Sequence, residues 1–239
     1  MGLNMRACHT DQCIVFIPFA GGSSHAFSVL QGLLSPTVES IGIHYSGRYQ
    51  GELAASPTTV DQMADEVIER LQKVEAKRLT LFGYSLGALV AYEVAQRREA
   101  LPCAIEQLVV AACRPPHLFS CHGVQVHAED DDFLHSVATF GTIPEYLFSH
   151  PAARKYLLPN LKNDFRAAST YRHSPRPPLD MPVTAIAGTE DSFAPFHDVQ
   201  GWRQYSDAAY AEHCLPGQHF FFENNNDRLT GILLDTLAA

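Results

Sequence analysis

No stretch of this 239-residue chain approaches the roughly 20 consecutive apolar residues that span a bilayer. Met1 to Cys13 contain polar groups throughout and hold no apolar stretch long enough for a signal peptide, so the chain is expected to be cytoplasmic. Cysteine occurs six times, at Cys8, Cys13, Cys103, Cys113, Cys121 and Cys214, but never as a C-x-x-C pair. Reduced, partly buried thiols are therefore expected, not a disulfide framework. No His/Cys cluster has metal-site spacing, and neither a metal nor a cofactor is expected. Positive charge is scarce: 17 Lys and Arg face 26 Asp and Glu, and the net charge of −9 argues against a nucleic-acid partner. Internal repeats and low-complexity segments are also missing. What is present is 46% hydrophobic residues, enough for one large core in a single domain over 1–239.

The apolar residues come in short runs separated by amphipathic stretches. Cys13–Pro18, Val38–His44, Leu79–Gly83, Ile105–Cys113, Val183–Gly188 and Ala209–Leu215 read as strands. Val60, Met63, Val67, Ile68, Leu71 and Val74 share one helical face, and Thr59 with Gln62 makes a capping box at its start. Leu86–Arg97 and Arg228–Leu237 read as further helices. Strands that are apolar on both faces and alternate with helices imply an α/β fold with a mostly parallel central sheet covered on both sides. Residues 115–178 break the alternation. Pro115-Pro116 opens this stretch, Pro177-Pro178 closes it, and it reads as short helices over 130–140, 145–147, 152–158 and 161–171. We read it as a helical lid insertion.

The chemistry centres on Gly83-Tyr84-Ser85-Leu86-Gly87. A serine between glycines, after a strand and before a helix, is the setting of a nucleophile elbow. The glycines suit a tight turn where neighbouring chains come close. A serine hydroxyl needs a base, and the elbow predicts the chain order Ser, acid, His. Asp191 follows the strand Val183–Gly188, and His219 lies between the last strand and the last helix. Asp191 would orient His219, and His219 would take the proton of Ser85. Glu190 is the rival acid; the shorter Asp is favoured. An oxyanion hole needs two backbone N–H groups. Leu86 is expected to supply one and Ala20, in the loop after the first strand, the other, with Phe19 as the alternative.

These segments resemble the type II thioesterases of nonribosomal peptide and polyketide synthesis. The likeness runs through PFAGGSS (18–24), YSGR (45–48), LFGYSLGALVAYEVA (81–95), CRPP (113–116), DDFLHSVATFGTIPEYLF (131–148), LPNLKNDFRAASTYRH (158–173), PLDMPVTAIAGTEDS (178–192), GWRQYS (201–206) and LPGQHFFF (215–222). The resemblance implies an α/β-hydrolase fold, a monomer, and the roles above for Ser85, Asp191, His219, Leu86 and the Phe19/Ala20 step. It implies hydrolysis of acyl or aminoacyl thioesters from the phosphopantetheine arm of an acyl- or peptidyl-carrier protein, clearing stalled or mis-primed synthases or releasing product. Tyr84 departs from the His usual before the nucleophile, and is expected at the pocket wall. A small-molecule carboxylesterase or lipase with the same triad remains the alternative.

Charge is unevenly spread. Residues 151–180 carry a net +4, leaving −13 for the remainder. Arg154, Lys155, Lys162 and Arg166 are expected to form a docking surface for an acidic carrier protein. Phe133, Val137, Phe140, Tyr146, Leu147 and Phe148 read either as an acyl channel or as ordinary core at helical spacing.

Overall fold

The structure is a computed structural model, which describes residues 11–48, 56–121, 123–139 and 146–238. Cys8, Phe140 and the side chain of Tyr146 lie outside the described residues. Six strands form the sheet: β1 (Gln12–Ile17), β2 (Glu39–Gly42), β3 (Arg78–Tyr84), β4 (Ala104–Ala111), β5 (Val183–Gly188) and β6 (Tyr210–Leu215). Every pairing is parallel, in the order β2-β1-β3-β4-β5-β6. β5 is buried along its whole length and β3 at all but its first residue. The edge strand β6 is mostly half-buried. That difference is why β6 is the more weakly apolar run in the sequence.

Alternation along the strands divides the core. Cys13, Val15 and Ile17 face a layer containing α2 (Val60–Leu71) and α3 (Leu86–Gln96). Ile14 and Phe16 face the opposite layer, with α1 (Ser28–Leu34) and α8 (Asn226–Ala238). Thr59 caps α2 as the capping box implies: Gln62 N–H donates to its Oγ1 at 3.1 Å, and Thr58 N–H donates to the Gln62 side chain at 2.8 Å. The helix α1 leaves little trace in the sequence. It is only seven residues long, contains Gly32 and has no side-chain cap, so its local signal is weak.

Between β4 and β5 the chain forms α4 (Asp130–Ala138), α5 (Tyr146–Ser149) and α6 (Pro151–Thr170). The two helices expected at 152–158 and 161–171 are one 20-residue helix that runs through Pro159. An interior proline costs about 3 kcal/mol. Tertiary contacts on both sides of it offset that cost: Leu158 is buried, and Asn163 donates to the Pro57 carbonyl at 2.8 Å. Phe133, Leu134, Val137, Leu147 and Leu158 make a separate small core, so Phe133, Val137 and Leu147 pack the insertion itself, as ordinary core at helical spacing. A short helix α7 (Phe196–Val199) and a 3₁₀ turn, Gln200–Tyr205, follow β5 and bury Trp202, whose Nε1–H donates to the Cys113 carbonyl at 2.8 Å.

The sheet order reverses between β1 and β3, since β2 lies on one side of β1 and β3 on the other. In open parallel sheets a crevice forms at such a point, outside the carboxyl ends of the strands. Ile17 pairs with Gly83, so the loop after β1 and the turn after β3 meet there.

Candidate active site

Ser85 sits at that meeting point, at the start of α3, with φ +52° and ψ −120°. A non-glycine residue at positive φ stores about 1–3 kcal/mol of strain and persists only where its surroundings over-determine it. The surroundings do so here. Ser85 N–H donates to the Ala111 carbonyl at 2.8 Å, and Ala88 N–H donates to the Ser85 carbonyl at 2.9 Å. A Cβ on Gly83 would lie 2.5 Å from Ala88 Cα, and one on Gly87 would strike the carbonyl oxygens of Ile17 and Pro18. Both glycines are therefore demanded by backbone crowding, and α3 presses directly on the end of β1.

His219 Nε2 lies 2.9 Å from Ser85 Oγ, and His219 Nδ1 lies 2.9 Å from Asp191 Oδ2. All three residues are less than a tenth exposed. Asp191 is itself anchored: its Oδ1 accepts N–H bonds from Phe193 and Ala194, both 2.9 Å. The rival Glu190 is exposed. The rings of Phe193 and Phe220 meet the His219 imidazole edge-on, with centroids at 5.2 and 5.3 Å. The arrangement can move a proton from the hydroxyl to an imidazole whose other nitrogen is held by a carboxylate.

Leu86 opens α3, so its N–H has no intrahelical acceptor. In the loop after β1, Pro18 has no N–H, Gly21 N–H goes to Asp164 at 2.7 Å and Gly22 N–H to the Phe19 carbonyl at 2.8 Å. Phe19 and Ala20 remain as candidate donors beside Leu86.

Tyr84 was expected at the pocket wall; the structure places it elsewhere. It points to the opposite face of the sheet, fully buried among Phe19, Phe27, Phe82, Phe221 and Phe222. Its hydroxyl donates to the His219 carbonyl at 2.5 Å. Burial, reinforced by the Asp191 carboxylate, holds this phenol well above the usual range, so it stays protonated and a donor. Tyr84→Phe would orphan a buried carbonyl, and is expected to cost about 1–2 kcal/mol. In a chain of this size that is a fall of about 2–8 °C in melting temperature, read by a thermal scan.

The basic patch is only partly free. Arg154 bonds Asp131 at 2.7 Å, and Lys162 bonds Asp130 at 2.9 Å. Asp164 is buried against Arg48. Arg176 is taken by Glu93 at 2.5 Å. Lys155 and Arg166 are exposed, on a groove of about 490 Å³ shared with Arg154 and Lys162. Composition counts these charges without their partners: Asp130 and Asp131 on α4, Glu93 on α3, and Arg48. The described cysteines are free, and burial pushes the Cys121 thiol up to about 12. Among the described residues no helix is long and apolar enough to cross a membrane, and no cluster of three His, Cys, Asp or Glu could hold a metal.

A serine in the elbow after one strand, with a carboxylate and a histidine on the loops of later strands, is the chain order of the α/β-hydrolases. Solved structures share the fold. BorB, a type II thioesterase from the borrelidin biosynthetic cluster, matches with a TM-score of 0.83 at 27% identity, over 98% of this chain and 95% of that one. The RedJ thioesterase from the prodiginine biosynthetic pathway of Streptomyces coelicolor gives 0.83 at 30%, over 95% and 87%. The thioesterase-domain model matches residues 12–237, and the chain belongs to that family. Thioesterase PikA5 of Streptomyces venezuelae is 31% identical over 232 residues, 95% of this chain and 81% of the relative.

Proposed function

We propose that this thioesterase hydrolyses acyl or aminoacyl thioesters held on the phosphopantetheine arm of a carrier protein, through an acyl-enzyme on Ser85. The observation that carries the reading is the unbroken relay from Ser85 Oγ through His219 to Asp191, at 2.9 Å on each side of the imidazole. Ser85 Oγ attacks the thioester carbonyl as His219 Nε2 takes its proton. Leu86 and Ala20 N–H groups hold the oxyanion. The tetrahedral adduct collapses, the C–S bond breaks, and His219 returns the proton to the departing thiol. His219 then deprotonates a water that attacks the acyl-serine, and as the ester C–O bond breaks it returns that proton to Ser85 Oγ, releasing the carboxylic acid and the free serine.

Relatives named for biosynthetic clusters and pathways support this substrate class, and so does the fit of the whole matched length. In this role the enzyme clears stalled or mis-primed synthases, or releases product. The helical segment between β4 and β5 serves as the lid. Its exposed Lys155 and Arg166 meet the acidic carrier, with Arg154 and Lys162 lining the same groove but shared with Asp130 and Asp131.

The test is a panel of acyl- and aminoacyl-carrier proteins set against an aryl ester of the same acyl group. Higher kcat/KM on a carrier thioester is expected; preference for the aryl ester would support a small-molecule carboxylesterase. Reversing Lys155 and Arg166 to Glu is expected to raise KM for carrier-bound substrate about 3- to 10-fold, an electrostatic effect that weakens with salt, and to leave acyl-pantetheine unaffected. Equal effects on both substrates would rule out docking at this groove.

A further inference from the structure

Two segments far apart in the chain, YSGR at 45–48 and the α6 residue Asp164, meet beneath the loop that follows β1. Arg48 Nη2 donates to Asp164 Oδ1 at 2.8 Å and Oδ2 at 2.7 Å, while its Nη1 donates to the Gly22 carbonyl at 2.5 Å. Asp164 Oδ2 also accepts the Gly21 N–H at 2.7 Å. The two side chains are 6% and 2% exposed, and the guanidinium lies over the Tyr45 ring at 4.7 Å. Leu161, one turn before Asp164 on α6, closes over Gly21. A Cβ at Gly21 would lie 3.0 Å from Leu161 Cδ1, and its φ of +76° already favours glycine.

A buried ion pair is a poor source of stability, because desolvation consumes most of the attraction, and an apolar pair of similar volume is often as good. What this pair does instead is hold a backbone. It fixes the Gly21 amide and the Gly22 carbonyl, and the Gly22 amide is fixed by the Phe19 carbonyl at 2.8 Å. The peptide group left between these restraints is the Phe19–Ala20 step. Removing an oxyanion donor typically costs about 10²- to 10³-fold in kcat, so its orientation has value to the reaction.

We propose that Arg48 and Asp164 are positioning residues of the oxyanion hole: together they lock the Pro18–Gly22 loop so that the Ala20 amide faces the oxygen of the carbonyl attacked by Ser85. Because Asp164 belongs to α6, the hole is complete only while that helix is seated on the loop. The inference rests on the reading of Ser85 as nucleophile.

The experiment compares wild type, the double variant Arg48→Met with Asp164→Leu, and Arg48→Lys, on an acyl-pantetheine thioester. Two inhibitors separate the states. A trifluoromethyl ketone analogue places an anionic oxygen in the oxyanion hole, and a thioether analogue binds as the ground state does. In the double variant kcat is expected to fall about 10- to 100-fold, with trifluoromethyl ketone affinity falling in step and KM and thioether affinity held within about twofold. Arg48→Lys keeps the charge but loses the planar fork, and falls between. Folded variants with wild-type kcat would overturn the proposal, and so would KM and thioether affinity worsening in step with kcat. Should the double variant not fold, Arg48→Lys decides on the same readings. If instead the nucleophile is misassigned, wild-type turnover survives Ser85→Ala; a failure of the clamp alone leaves that sensitivity intact.

Discussion

Ser85→Ala lowers kcat on an acyl-pantetheine thioester by about 10⁴- to 10⁶-fold and leaves KM close to wild type. The hydroxyl is the atom that bonds to the acyl group, and no neighbour can replace it. Among the described residues His219 Nε2 is directed at Oγ, with its other nitrogen committed to Asp191. A residual rate survives from the oxyanion donors, which polarise the carbonyl for direct attack by water. Stability changes by only about 1 kcal/mol, since one hydrogen bond is lost and the backbone stays in the same strained conformation. Steady-state kinetics with purified variant, together with loss of labelling by a fluorophosphonate, reads the result. Undiminished hydrolysis would remove Ser85 from the mechanism.

The next largest effect is expected at Asp191→Asn. Two backbone donors, Phe193 and Ala194 N–H, occupy Oδ1. An amide placed there must keep its carbonyl oxygen toward those donors, because its NH₂ would meet two N–H groups head-on. The NH₂ then faces His219 Nδ1, which can only accept. The imidazole proton is forced to Nε2, the atom that faces Ser85 Oγ at 2.9 Å, and the base is blocked without any change of shape. We expect kcat to fall about 10³- to 10⁴-fold near neutral pH, equivalent to roughly 4–5.5 kcal/mol, with the melting temperature almost unmoved. A loss smaller than about tenfold would mean that Asp191 does not set the tautomer.

Much of the site is legible along the chain because its signals are local. A serine between Gly83 and Gly87 announces a turn too tight for side chains, and the carbonyls of Ile17 and Pro18 against Gly87 give the reason. Asp191 and His219 are legible as the acid and histidine of an ordered series, each on a loop leaving a strand. The capping box at Thr59 is legible for the same reason: its partners are three residues apart. Pro159 misleads, since its local cost predicts a break that distant contacts at Leu158 and Asn163 override.

The amino-acid order by itself determined the α/β alternation, the elbow at Ser85, and which residues carry a carboxylate or an imidazole after a strand, since all of these follow from periods of two to four residues and from backbone space. Tertiary structure alone decided that the favoured Asp191 comes within 2.9 Å of His219, that Tyr84 turns from the pocket to hold the His219 carbonyl, and that Asp164 is a buried partner of Arg48 and no part of a surface charge. Each of those outcomes depends on a partner 28 to 135 positions away. Only the closing of the sheet brings such groups within hydrogen-bond range, and no local pattern encodes the distance.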